Sequence, residues 1–349
     1  MEHTEPMSGA QRPALTPDMI LADIDRHTSG HSSIPGERTG EQLREAPGDT
    51  LSFLVDPIFQ TSGLACLAGT SDTGKSALLR QLCTAISTGE SEWLGFPLRA
   101  KHHSAIYVST EDGEDATRIM MKKQAGRYDA KALRNIRFIF EWEDIIATLD
   151  YSLSVRPADI VVIDCFSDTF GGDLKDTQKI RSFLQPFQSL ADRYKCLVLF
   201  LHHTGKRTES LTPSKNNLLS GQGFEAKMRL VIELRPDHMR PHDRHLCIVK
   251  GNYLPGSMKK ESHILHFDET TLTFSTNGER TPFELLSRGY EVEEGKAKYE
   301  QAKELRDAGR TNEEIAKELG YGSRSTVSKL FERAKKLGWD ADDAEEEEI

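Results

Sequence analysis

Residues 69–76 read G-T-S-D-T-G-K-S, a match to the phosphate-binding loop G-x-x-x-x-G-K-[ST]. No other feature constrains the fold as much. Such a loop needs a buried strand before it and a helix after it, with the helix N-terminus facing the anion. The flanks comply. Leu64-Ala65-Cys66-Leu67-Ala68 is an apolar run suited to a central strand, and residues 77–86 have helical spacing. Gly69 and Gly74 permit backbone angles that a side chain forbids, so the N–H groups of Thr70, Ser71, Asp72 and Thr73 can turn inward around phosphate. Lys75 places a point charge on the β- and γ-phosphates, and Ser76 offers a hydroxyl to Mg²⁺. ATP and Mg²⁺ are therefore the expected cofactors.

From about residue 50 to 285 apolar strand-like runs alternate with helical patterns. Strands are expected at 64–68, 104–109, 136–140, 160–163 and 196–201, and helices at 75–87, 113–124 and 176–194. That alternation predicts an α/β core with a mostly parallel central sheet wrapped by helices. Past Lys227 the strand-like runs crowd together, at 228–234, 245–250, 263–267 and 271–275. The close spacing predicts antiparallel strands added to the sheet.

Three strand ends carry candidate chemistry. Ile160-Val161-Val162-Ile163-Asp164 ends in an acid that can reach Mg²⁺. The run from Ile106 ends in Thr110-Glu111-Asp112, where Glu111 can polarise an attacking water; Asp112 is the weaker candidate, and both also suit the start of a helix. The run from Leu197 ends in His202-His203, of which His203 is preferred as a sensor of the γ-phosphate. Neither histidine has zinc-ligand spacing to a third group, so no zinc site is expected. The stretch 205–223 is long and polar; Lys206, Arg207 and Lys215 in it read either as contacts to a nucleic-acid backbone or as a mobile surface.

The chain has 349 residues, enough for one large domain and a small one. Its net charge of −10 argues at first against nucleic acid, but seven of those negatives lie in the last ten residues, and without them the balance is −3. This acidic stretch, 339–349, reads as a disordered tail, either a plain solvated end or a mimic of DNA. The five cysteines are scattered without C-x-x-C spacing and read as core residues of a reducing, cytoplasmic setting. No apolar run reaches the ~20 residues needed to span a bilayer. Residues 1–48, rich in Gly, Pro, Ser and charge, read as a flexible arm, with one short amphipathic stretch at 19–24.

Residues 282–295 read as a linker, and 296–338 as a small all-α helix-turn-helix domain. Thr311 can cap a helix bearing Ile315, Ala316 and Leu319; Gly320 and Gly322 supply the turn; Ser323 opens a second helix with Val327, Leu330, Phe331 and Ala334 on one face. Arg324, Ser325, Thr326 and Lys329 fall near the start of that helix, where duplex DNA would be met. A protein-docking bundle has the same apolar pattern.

The motif set, in its order along the chain, resembles the RecA-type ATPases. Phosphate loop, V-S-T-E-D, I-V-V-I-D and F-L-H-H-T-G-K are most similar to the plasmid RepA hexameric replicative helicases and related AAA_25-type proteins. The resemblance covers roughly residues 50–275, with the ATPase core bounded at 49–281. It implies a homo-oligomeric ring, usually a hexamer, with ATP between neighbours and single-stranded DNA in a central channel. It matches Lys75, Ser76 and Asp164 to nucleotide and Mg²⁺ positions, Glu111 to the catalytic glutamate and His203 to the γ-phosphate sensor. It also implies that Arg229 is an arginine finger and that Lys250 reaches the neighbouring subunit's site. The helix-turn-helix departs from the simple RepA pattern. Two readings of function stay open: an ATP-driven DNA motor serving a plasmid or mobile element, and an ATP-gated DNA-binding adaptor, loader or regulator that unwinds nothing. A KaiC- or RadA-like role in signalling or recombination is a third.

Overall fold

The computed structural model describes residues 36–205, 208, 211–237, 240–287, 292–321 and 323–339. Lys206, Arg207, the stretch 19–24 and the acidic run 340–349 lie outside the described residues. Contacts divide the chain into two units, the first ending at Leu51. Within it, helix Gly40–Glu45 is solvent-exposed and opens on a capping box in which Thr39 and Gln42 exchange hydrogen bonds.

The second unit is built on a ten-stranded sheet. Its strands, in chain order, are β1 (Gly63–Gly69), β2 (Ala105–Ser109), β3 (Ile136–Ile139), β4 (Ile160–Asp164), β5 (Leu197–His203), β6 (Leu230–Pro236), β7 (Asp243–Gly251), β8 (Glu261–Asp268), β9 (Thr273–Ser275) and β10 (Arg280–Pro282). The spatial order is β9-β8-β7-β6-β1-β5-β4-β2-β3, with β10 also pairing β8. From β6 across to β3 all pairs are parallel; from β6 outward through β9 they are antiparallel. Both expectations for the sheet hold.

The central strands β1, β2, β4 and β5 are buried on both faces, as their apolar runs require, whereas only Ile136 of the edge strand β3 is buried. Alternation sorts the side chains. Leu64, Cys66 and Ala68 join one core cluster; Ala65 and Leu67 join the other. The first cluster is closed by α5 (Thr177–Tyr194) through Ile180, Leu184 and Phe187, and by α3 (Ile145–Val155) through Leu149 and Leu153. The second is closed by α1 (Lys75–Thr88) through Leu78, Leu79, Leu82 and Ile86. All five cysteines are free and buried.

Three differences from the sequence reading have physical reasons. Helix α3 is not among the helices expected from the sequence; the Asp144 cap on the Ile146 and Ala147 amides and burial of Ile145, Leu149 and Leu153 form it. The segment expected as a linker from residue 282 begins as structure: β10 pairs β8, and Phe283 and Leu286 bury against Cys247. Helix α6 (Gly221–Lys227) begins inside the last residues of the stretch that read as a polar loop.

Toward the C-terminus α7 (Val292–Asp307), α8 (Asn312–Glu318) and α9 (Arg324–Leu337) pack around Tyr299, Ala302, Ile315, Ala316, Val327, Leu330 and Ala334. Thr311 and Glu314 form the capping box that starts α8. The cluster extends past 338: Trp339, expected in the tail, packs against Tyr299 at 5.8 Å between ring centres.

Candidate active site

The C-terminal ends of β1, β5, β4 and β2, four neighbours in the sheet, assemble the expected groups on one edge. Parallel register does this. Gly69 lies opposite His203, and Asp164 opposite Ser109, two residues before Glu111.

The phosphate loop leaves β1 at Gly69, where an added Cβ would stand 2.4 Å from the Leu234 carbonyl oxygen. Gly74 has φ +86°, and its Cβ would stand 2.8 Å from the Phe274 ring. Both positions demand glycine. Thr73 Oγ1 and Lys75 Nζ donate to the Thr70 carbonyl at 3.0 and 2.6 Å, curling the loop on itself. Ser71 and Asp72 are exposed on its outer side. Burial lowers the pKa of Lys75, opposed by the nearby carboxylates of Asp164, Glu111 and Asp72. Its ammonium is thus held in a partly desolvated place that an anion would favour.

Asp164 is 4% exposed and takes a hydrogen bond from the Tyr107 hydroxyl on Oδ2, while Oδ1 is buried without a partner. Burial raises its pKa, against hydrogen bonds from Tyr107 and Ser76. An orphaned carboxylate oxygen beside a serine hydroxyl is a hard-oxygen donor set, which fits Mg²⁺. Asp164 and Ser76 are therefore the residues that would hold it.

Glu111 caps β2 with its carboxylate half exposed. Its Oε1 lies 3.4 Å from His203 Nε2 and accepts from Cys165 Sγ at 3.2 Å. Thr110 ties this corner: its N–H donates to the Asp164 carbonyl at 2.7 Å, and its Oγ1 accepts from the Cys165 N–H at 2.8 Å. Asp112 faces elsewhere, with its carboxylate 3.8 Å from Arg80. The two histidines part company by strand alternation. His202 is fully buried between Phe166 and Phe224, bonded to Ser220 Oγ at 2.6 Å, with burial lowering its pKa to about 3. His203 alone faces the site.

Other candidates lie apart. Arg229 donates its N–H to the Leu64 carbonyl, and Lys250 pairs with Val231, so both sit at the end of the sheet where β1 begins, away from their own phosphate loop. Lys250 Nζ bonds the carboxylate and the carbonyl of Glu225, each at 2.7 Å, and Lys215 reaches the same carboxylate at 3.4 Å. Arg324, Ser325 and Lys329 are exposed on the first turns of α9, with Thr326 half-buried.

Sequence reasoning missed Tyr107, Cys165 and Arg80. Tyr107 looked like one more strand residue, although its hydroxyl needs a partner once buried. Arg80, in an apolar helix, is 4% exposed and spans Met120 and Asp112. Cys165 was read as core; its Sγ donates to Glu111 Oε1 at 3.2 Å and lies within 4.8 Å of a His203 ring nitrogen.

A family model described as an AAA domain matches residues 37–209. Among solved structures, the "ATPase Domain of G40P" matches with a TM-score of 0.50 and 14% identity, over 62% of this chain and 86% of that one. No curated protein matches. The chain thus carries a P-loop ATPase-type domain of RecA-like fold.

Proposed function

We propose that the protein is an ATP-hydrolysing, oligomeric DNA motor of the RepA-like helicase type, acting in the cytoplasm on replication or mobilisation of a plasmid or mobile element. The observation that carries hydrolysis is the meeting of Lys75, Ser76, Asp164, Glu111 and His203 on one sheet edge, with an unpartnered Asp164 oxygen among them.

In this reading, ATP phosphates enter the loop and replace the Thr70 carbonyl as the partner of Lys75. Mg²⁺ supplies charge neutralisation of the phosphate oxygens when bound. Glu111 accepts a proton from the attacking water, its half exposure leaving room for that water. His203, already beside Glu111, senses the terminal phosphate and passes its loss to the segment after β5. Lys206, Arg207 and Lys215 on that segment contact single-stranded DNA in the channel of a ring, usually a hexamer. Arg229 and Lys250 lie far from their own loop, which accords with service to a neighbour's site; Lys250 must first leave Glu225. Strand displacement tests the motor. Lys75→Ala should abolish ATP-dependent unwinding, and unwinding equal to the wild type rejects the mechanism.

The three-helix cluster favours a second reading. Its exposed Arg324, Ser325 and Lys329 suit a duplex-binding helix-turn-helix, and hence an ATP-gated adaptor, loader or regulator. Site-specific duplex footprints without strand separation would select this reading over the motor.

A further inference from the structure

Three strand ends place a thiol that water activation does not require beside Glu111 and His203. Glu111 Oε1 is 3.2 Å from Cys165 Sγ and 3.4 Å from His203 Nε2, and the three atoms lie within 4.8 Å of one another. Zn²⁺ takes sulfur at ~2.3 Å and nitrogen or oxygen at ~2.0–2.2 Å, so neighbouring ligands in a tetrahedral site stand roughly 3.3–3.7 Å apart. The His203–Glu111 edge of 3.4 Å has that length, the Cys165–Glu111 edge of 3.2 Å is just below it, and the third edge is no longer than 4.8 Å. Thiolate with imidazole selects a borderline-soft ion over hard Mg²⁺. The partly exposed Glu111 and His203 side chains leave a route in from solvent and a fourth position for water. Among the described residues no other cysteine has such neighbours.

We propose that Glu111, Cys165 and His203 form a zinc site, and that Zn²⁺ bound there silences the catalytic edge. The Cys165 proton, now shared with Glu111 or Ser167, passes to water as the zinc–sulfur bond forms. No oxidant is needed. The Glu111 oxygen that would accept a proton from water is then committed to metal, and so is the His203 nitrogen that would face phosphate. Lys75 and the phosphate loop are untouched, so nucleotide still binds. The silencing rests on the proposed function; the metal site does not.

Co²⁺ serves as the probe in full-length protein. A thiolate-to-cobalt charge-transfer band should saturate at one equivalent, vanish on addition of Zn²⁺, and be lost in Cys165→Ser, which keeps the size and hydrogen-bonding capacity of the side chain. His203→Ala should weaken cobalt affinity at least tenfold. Binding of a fluorescent ATP analogue verifies that each variant is folded. Absence of a thiolate band in wild type, or its persistence in Cys165→Ser, overturns the site. Stoichiometric zinc should slow wild-type ATP hydrolysis at least tenfold and leave Cys165→Ser near its own zinc-free rate. Unslowed hydrolysis by zinc-loaded protein overturns the silencing. A protein that hydrolyses no ATP at all refutes the proposed function instead, while the cobalt spectrum still decides the site.

Discussion

Asp164 is held where its charge is costly. Burial raises its pKa, opposed by hydrogen bonds from Tyr107 and Ser76 and by the charge of Arg80. A carboxyl whose folded pKa lies above its unfolded value favours the folded state most when protonated, so the nucleotide-free protein is penalised once pH passes above that range. Asp164→Asn removes the charge while its amide oxygen still accepts from Tyr107. The expected result at pH 7 is a nucleotide-free protein more stable by about 1 kcal/mol by thermal melting, with ATP turnover lost. Tyr107→Phe removes the hydroxyl that donates to Asp164 Oδ2. It should lower ATP turnover about tenfold and raise the Mg²⁺ concentration needed for half-maximal rate, since a hydrogen bond to a charged group contributes roughly 1.5–3 kcal/mol. An unchanged Mg²⁺ dependence would remove Tyr107 from the site. Asp164 itself was legible as an acid ending an apolar run; its hydroxyl partner was not, because strand register between β2 and β4 decides which residue lies beside it.

Strand β6 shows how one element anchors a long excursion of chain. Arg235 and Glu233, both buried, pair at 2.7 Å. Arg235 donates to the carbonyls of Thr208, Leu211 and Leu286, while Glu233 accepts from the Ser214 N–H and the Asn217 amide. The segment after β5 is therefore clamped at Thr208, Leu211, Ser214 and Asn217. Removing one partner of a buried pair strands the other charge, so Arg235→Ala should destabilise the protein by about 3–5 kcal/mol. Limited proteolysis should then cut between residues 205 and 223 well before the wild type is cut. The sequence shows a polar stretch of loop-like composition here, and composition is silent about a clamp made sixteen to twenty-seven residues away.

At the scale of the whole molecule, buried histidines set the acid limit. Burial lowers His202 to about 3 and His263 to about 4, and lowers His245 against the opposing carboxylate of Asp237. Between the ordinary histidine value of 6.5 and these depressed values, the unfolded chain binds protons that the folded chain refuses, so stability falls as pH falls through that window. Melting temperature measured from pH 7 down to pH 4 should drop, and His202→Gln, which keeps a partner for Ser220, should flatten the drop. The α7–α9 cluster has its own apolar residues, separate from the two that sandwich the sheet. Deleting residues 292–349 should therefore leave ATP turnover within about twofold and the melting temperature of the core nearly unchanged, while sequence-specific duplex binding, measured by footprinting, is lost. Loss of turnover on deletion would show that the cluster completes the hydrolytic unit.

Local chemistry was enough to determine the phosphate loop, the alternating α/β order, the buried parallel strands and the acids and histidines that end them. Glycine geometry, apolar periodicity and a strand's terminal polar residue are all properties of neighbours in the chain. Tertiary structure alone decided that β1, β5, β4 and β2 stand side by side, and thus that Glu111 meets Cys165 and His203 while Lys250 is paired with Glu225 at the far end. Those contacts depend on crossover connections and strand register, which set distances between residues tens to more than a hundred positions apart, and no spacing along the chain encodes them.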